Sequence, residues 1–542
     1  MAHSLRHKAI GKIPAFHHEH PSYRWWVLGN VLISTFMAVI ESTVVNTALP
    51  KMQASFGTSL DIIEWVLTAF NLTFAVILPL SGWLADKIGY KRIFFLALAL
   101  FTTGSFLCSL AWNESILIMF RVIQAAGGGM LQPVGMAIVL REFPPKQRGT
   151  ALGFYGIAAA ASLSIGPSLG GLLTDNFGWQ SIFLINVPFG ILAMLATVLI
   201  QREYRNPRVG NFDLWGFVTS AIFLISFLLG LADGNAGWNT GGWTSPFIIT
   251  CFGISAISLI LFLLIEYRVE SPMLNLRLYA ERNFGLSNLL IFLIGMVLMG
   301  SSFLFPVYLQ GSLGYTALQA GLIFLPLGLI QGIISPITGM MSSKINPKIP
   351  ATIGIAAVAV SFLINTLLSF DPPEWVIMLP IILRGLGFGM LFITIQAVSV
   401  STLAHDKIAQ GSSMIALARQ IGAAFGVAVV GTITNTRQIF HQAVIGENMN
   451  AWSPTFRSTV GPLASAIQQN TGGTMAQSMT LAQTSIISQA AGQSFIDSIN
   501  DAFWLVTVLI ALLVIPVLLL KIKKRVQHAP DAGKPEPVAM ME

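Results

Sequence analysis

Met37-Ala-Val-Ile-Glu-Ser-Thr-Val-Val-Asn-Thr-Ala-Leu-Pro50 is the far end of the first long apolar run, and it carries a carboxylate, Glu41, where lipid has no use for a charge. Runs of this kind recur from end to end, and about 20 apolar residues in a helix are enough to cross a bilayer. Fourteen can be marked: 27–48, 65–84, 93–112, 116–140, 149–172, 180–201, 214–232, 245–265, 284–309, 317–341, 350–370, 376–400, 412–433 and 502–520. Glu41 is the only carboxylate well inside any of them. An ionisable side chain at that depth is expensive and marks a functional site by default.

Composition agrees. The 542 residues are 54% hydrophobic and 10% charged, with mean hydropathy +0.72. Soluble domains carry about 25% charged residues. Short alternating segments, the mark of a membrane barrel, do not appear. The predicted fold is an all-α polytopic membrane protein. Cys108 and Cys251 both lie inside apolar runs, so no disulfide framework is implied. The first run is too long for a cleaved leader and reads as a retained span.

The net charge of +7 does not point to nucleic acid, because its placement is topological. Of the 30 Lys and Arg, 24 fall in the two tails and in the turns after even-numbered spans. Lys51, Arg437 and Arg457 lie on the opposite side, and Arg121, Arg384 and Arg419 lie within spans. Basic turns stay cytoplasmic. Both termini are therefore expected in the cytoplasm, with the protein in the cytoplasmic (inner) membrane.

Spans 1–6 and 9–14 read as two halves. Gly82-Trp-Leu-Ala-Asp-Lys-Ile-Gly-Tyr-Lys91 is echoed by Gly339-Met-Met-Ser-Ser-Lys-Ile-Asn-Pro-Lys348, each after the second span of its half. Arg121 followed by Gly127, Gly128 and Gly129 is echoed by Arg384 with Gly385, Gly387 and Gly389. Transporters are built from such repeats, with the site near the midplane between them. The divisions expected are a tail 1–26, a first bundle 27–201, a linker 202–283 with two inserted spans, a second bundle 284–520, and a tail 521–542. Within the second bundle, 434–501 reads as one long outer loop, polar enough not to span, in which Met475–Asn500 has the pattern for surface helix. The final tail is basic, then Pro-rich, and reads as disordered.

These motifs resemble the major facilitator superfamily, and within it the fourteen-span drug:proton antiporters of the EmrB type. Ile40 to Pro50 resembles the family's first-span motif, Gly82 to Arg92 its loop motif, and Arg121 to Gly127 its fourth-span motif. Gly153 with Ser162-Leu-Ser-Ile-Gly-Pro-Ser-Leu-Gly-Gly171 resembles its antiporter motif, and Trp179 to Gly190 matches the start of its sixth span. The resemblance covers nearly the whole chain. This sequence departs from the family pattern in having Glu41 in place of Asp, Ser162 in place of Gly, and Ala125 in place of Gly. The resemblance implies a two-bundle fold working by alternating access, and proton-driven export of amphipathic drugs or toxic compounds.

Residue roles follow. Glu41 and Arg121 are the expected proton-coupling pair: at the ~1.5 Å rise of a helix they lie about 11 Å and about 9 Å below the same surface; the plainer reading is a fixed ion pair that only holds spans 1 and 4 together. Gly82, Asp86, Gly89, Lys91 and Arg92 form the conformational loop, with Asp86 latching a cation or a helix N-terminus; the plainer reading is a topogenic cluster. Gly153, Gly156, Ser162, Gly166, Gly170 and Gly171 make a bare face, and Pro167 bends it, giving tight packing or a flexing gate. Asn46, Gln124, Arg384, Gln396, Arg419 and Gln420 line the cavity or serve as internal glue. Phe36, Met37, Phe70, Phe303, Phe305, Tyr308, Phe388 and Met390 either line a greasy cavity or face lipid.

No Gly-Lys-Ser/Thr phosphate loop occurs, so the proton gradient is the expected energy source and no cofactor is implied. No catalytic constellation stands out, and the protein does not read as an enzyme. His17, His18 and His20 with Glu19 lack spaced partners, so no metal is expected. Expected partners are small amphipathic substrates, protons and the bilayer, with no nucleic acid. The stretch 434–501 either docks a periplasmic adaptor leading to an outer-membrane channel, as in EmrB-type pumps, or caps its own mouth. A specific exporter of a lipid, siderophore or metabolite is the nearest alternative, and a non-transporting scaffold or sensor a further one.

Overall fold

A computed structural model describes residues 20–521, except 21, 146, 206–209, 270–271, 342–344, 402, 405–406, 448 and 450–453. The first half consists of α1 (Tyr23–Phe56), α2 (Trp65–Ile88), α3 (Tyr90–Ser109), α4 (Glu114–Glu142), α5 (Arg148–Phe177) and α6 (Asn186–Ile200). Two inserted helices follow, α7 (Leu214–Asp233) and α8 (Pro246–Arg268). The second half has α9 (Arg282–Gly311), α10 (Ala317–Met341), α11 (Lys348–Ile364), α12 (Glu374–Ser401), α13 (Ile408–Glu447), α14 (Pro454–Thr471) and α15 (Met475–Leu512). Among the described residues, 13 helices are long and apolar enough to cross a membrane. The fifth span, α5, is outside that set; it runs 30 residues and is rich in Gly, Ala and Ser.

Helix starts are set by local chemistry. The Asn113 side chain accepts from Ile116 N at 2.8 Å and opens α4, while Ser245 accepts from Ile248 N ahead of Pro246 and opens α8. Such caps satisfy amides that have no partner inside the helix. Gly57 closes α1 at φ 65°, a left-handed position that suits glycine.

The halves pack as related bundles: α1 on α5, α2 on α4 and α3 on α4 in the first; α9 on α13, α10 on α12 and α11 on α12 in the second. They meet along two seams, α5 with α10 and α2 with α13. In each seam the fifth helix of one half meets the second of the other, as a pseudo-two-fold axis requires. The α5–α10 seam is packed from Gly149 against Gly339, on the side bearing the basic turns 87–92 and 141–148 (here called the basic side), to Ser168 against Gly321 near the other end. A Cβ added to Gly153 would sit 2.6 Å from Pro336 Cα, and one on Gly82 would sit 2.7 Å from Ser413 Oγ. Ser81 and Ser413 hydroxyls are 3.2 Å apart across the second seam. The inserted pair covers that seam: α7 packs on both α2 and α13, and Asn235 Nδ2 donates to Thr432 Oγ1 at 2.7 Å.

The stretch 434–501 is not the irregular loop its polarity suggests. Helix α13 runs unbroken for 40 residues to Glu447, and α15 runs 38 residues. Between them α14 packs on α15, which starts with a capping box of Thr474 and Gln477. Polar residues do not forbid a helix; they forbid only its burial in lipid. Met475–Asn500 is helical, as its pattern predicts, and it is the first part of α15 rather than a separate element. Asp501 ties the two long helices, accepting from Arg437 Nε at 2.5 Å and lying 2.8 Å from His441 Nε2. The metal-like residues His17, His18 and Glu19, and the tail after Lys521, lie outside the described residues.

Candidate functional site

Glu41 on α1 faces Arg121 on α4, and the two are 1% and 0% exposed. Arg121 Nη1 donates to Glu41 Oε1 and, at 2.6 Å, to Gln124 Oε1. Its Nε donates to the Val66 carbonyl on α2 at 3.1 Å. Glu41 Oε2 accepts from Asn186 Nδ2 on α6 at 2.7 Å. Gln124 is oriented by donating to Ser105 Oγ at 2.6 Å. The Phe70 ring lies 4.1 Å from the guanidinium carbon, within cation–π range. Four helices thus converge on one buried ion pair. A buried charge is tolerable only when paired and hydrogen-bonded, and losing one partner costs about 3–5 kcal/mol.

The sequence alone does not single out Asn186 or Ser105, and it gives Phe70 another role. Asn186 lies in the quoted sixth-span stretch, and a lone amide in an apolar run was its available signal. Phe70 was read as lining a cavity or facing lipid; it is buried against the cation instead. Phe305, Tyr308 and Phe388 are likewise buried within the bundle, while Phe36 and Met390 are half-buried. Only the backbone of Phe303 is described.

Arg384 occupies the corresponding place in the second half, and its surroundings differ. It is 2% exposed and lies 4.5 Å from the Phe362 ring, 5.3 Å from Phe305 and 5.6 Å from Phe503. Its Nε donates to Ser361 Oγ at 2.9 Å. No carboxylate pairs with it among the described residues.

Between the halves lies a third polar group. Arg419 on α13 donates to Gln132 Oε1 on α4. Its guanidinium is 5.8 Å from the Phe392 ring on α12. One turn along each helix, Gln396 Nε2 donates to Met136 Sδ at 2.7 Å. Tyr155 on α5 donates to the Gln132 carbonyl at 3.3 Å. Arg419 and Gln420 are half-buried, whereas Asn46 is exposed and lies outside the Glu41 cluster.

On the basic side, Asp86 accepts from Tyr90 OH at 2.7 Å and sits 3.4 Å from Arg141 Nη2. Its cation comes from α4, across from its own loop. Lys91 Nζ instead donates to the Val198 carbonyl at 2.8 Å, and Arg92 lies 3.6 Å from Glu203. Gly89 is required here: its φ is 120°, and the Glu203 carboxylate fills the space a side chain would take. Nearby, burial and the Glu142 carboxylate push the Tyr204 phenol up to about 12, so it remains a donor.

The bare face of α5 divides between two helices. Gly166 and Gly170 pack on Thr43, Thr47 and Val44 of α1, whereas Gly153 and Gly156 pack on Ser335 and Pro336 of α10. Ser162 Oγ donates to the Phe36 carbonyl at 3.1 Å. Gly171 belongs to neither contact, since an added Cβ there meets nothing within 4 Å.

Comparison with known proteins bears on this architecture. The family model of the Major Facilitator Superfamily matches residues 31–427. The chain is 31% identical over 497 residues to the probable multidrug resistance protein EmrY of Escherichia coli, covering 90% of this chain and 94% of that one. It is 30% identical over 483 residues to the multidrug export protein EmrB of the same organism, covering 87% and 90%. The crystal structure of the human organic anion transporter MFSD10 (TETRAN) superposes with TM-score 0.57 at 14% identity, over 93% of this chain and 100% of that one.

Proposed function

This chain belongs to the major facilitator superfamily of transporters, and from that premise we propose that it exports amphipathic compounds across the cytoplasmic membrane in exchange for protons. The multidrug names of its relatives support the cargo. The observation that carries the coupling is the sealed Glu41–Arg121 pair.

The geometry suits a proton switch. Protonating Glu41 removes the charge that ties α1 to α4. Arg121 still keeps Gln124, the Val66 carbonyl and the Phe70 face, so the cation stays accommodated when its carboxylate is neutralised. The cost of neutralisation then falls on the α1 contact, the element that must shift if the first bundle is to rock against the second. In this reading the ionised pair is the form that has released its proton, and the protonated form is the one in which α1 is freed from α4. The extension formed by α13, α14 and α15 exposes Ile439, Phe440, Leu481 and Ile487, and is the surface a periplasmic adaptor would grip.

The test is Glu41→Gln against Glu41→Asp in vesicles with an imposed proton gradient. Gln abolishes uphill export and keeps substrate binding; Asp retains export. Full gradient-driven export by Glu41→Gln would sink the coupling role.

A further inference from the structure

Among the described residues, the membrane interior holds one deep carboxylate and three guanidinium groups. Glu41 and Arg121 neutralise each other out of reach of solvent, and Arg384 is sealed in its aromatic box. Arg419 is different. It is half-buried, no carboxylate pairs with it among the described residues, and its named contacts are neutral: Gln132 and the Phe392 ring. Those contacts lie on α4 and α12, one from each half, so the group points into the space between the bundles and not toward lipid.

Depth supports this placement. Arg419 is eleven residues into α13, so about 17 Å from its basic-side end at ~1.5 Å per residue, roughly the middle of a ~30 Å core. What faces the space between the halves at this depth is a guanidinium with no carboxylate to neutralise it among the described residues, held by a neutral amide on one side and a ring on the other.

We propose that Arg419 is the headgroup contact for an organic anion: the cargo held between the halves carries a carboxylate or sulfonate on an apolar body. A guanidinium binds such groups through paired, charge-assisted hydrogen bonds. Phe392, Met136 and Tyr155 supply the adaptable apolar wall. A cation would meet Arg419 with no accessible carboxylate to offset it. This assignment rests on the export reading for the site's purpose, but not for its chemistry.

The experiment measures binding without any gradient, on the full chain in phosphatidylcholine nanodiscs, so that failure of proton coupling leaves its result intact. The probes are 8-anilinonaphthalene-1-sulfonate and N-phenyl-1-naphthylamine, which share a ring system and differ by the sulfonate. Arg419→Gln weakens the sulfonate probe about tenfold, the worth of one charge-assisted hydrogen bond, and leaves the neutral probe unchanged. Arg419→Lys retains most of the sulfonate binding. Equal loss of both probes, or undiminished sulfonate binding in Arg419→Gln, would overturn the proposal. On the unsubstituted protein, naphthalene-1-sulfonate displaces the anionic probe and naphthylmethylammonium does not; equal displacement overturns it independently of any variant. Displacement by phosphatidylglycerol at bilayer levels would assign the site to a lipid headgroup and overturn the cargo assignment.

Discussion

Arg121 and Arg384 occupy matching places in the two halves, and they are solvated in opposite ways. The first has a carboxylate, an amide, a backbone carbonyl and two rings around it; the second has one hydroxyl and three rings. Phe305 of α9 stands toward Arg384 as Glu41 of α1 stands toward Arg121. A carboxylate can take up a proton at accessible pH and a phenyl ring cannot. Both halves thus hold a buried cation in matching packing, and among the described residues only the first half pairs it with a group that can be neutralised.

The largest expected effect comes from unpairing. Arg121→Met leaves Glu41 buried without its cation and should destabilise the protein by about 3–5 kcal/mol, read from denaturant unfolding in detergent. Arg384→Met strands no charge, and Met fills an aromatic box well, so it should cost within about 1.5 kcal/mol. Equal losses would break the contrast between the halves. The double variant Arg121→Met with Glu41→Gln should recover most of the loss.

Intermediate effects belong to α5. Gly166→Leu forces a side chain into α1 and should cost about 1–3 kcal/mol through overpacking, and it should reduce transport per folded molecule. Gly171→Leu, five residues on, meets open space and should leave both stability and transport unchanged. A matching loss at Gly171 would mean that another state of the transporter closes on that face.

The smallest effect sharpens the comparison at the basic side. The echo of the Asp86 turn in the second half reads Ser342-Ser343, residues outside the described set, so the acid at this place in the sequence belongs to one half. Asp86→Asn weakens a contact to Arg141 worth about 1 kcal/mol for a hydrogen bond with one charged partner removed. Turnover should fall severalfold while substrate affinity stays within about twofold. Lost affinity with unchanged turnover would count against the latch.

Much of this was readable in advance, for physical reasons that differ from residue to residue. The spans were legible because lipid forces long apolar runs. Glu41 with Arg121 was legible because helix rise turns sequence position into depth. Asn186 was not, since nothing in its own helix says which face it presents. The aromatic residues were misread because a ring gains equally from lipid, cavity or packing, and only the fold decides; Phe70 and Phe305 ended on guanidinium groups. Residues 434–501 were misread as loop because span-finding scores apolarity, and α13 and α15 continue as helices after their apolarity ends.

That continuation makes α13 a lever. Its first turns form the α2–α13 seam, its middle is clamped to α9 where Gly422 and Gly426 let the backbones touch, and its far end stands clear of the apolar zone. From the clamp to Glu447 is more than twenty residues, about 32 Å of rod at ~1.5 Å per residue, so a ~10° tilt about the clamp sweeps the tip by about 6 Å. Asp501 fastens α15 to the same rod through Arg437 and His441, so the tip should move as one piece. The state of a closed interior is thereby written on the exterior as a displacement, where a label, an antibody or a second protein could read it without entering the membrane.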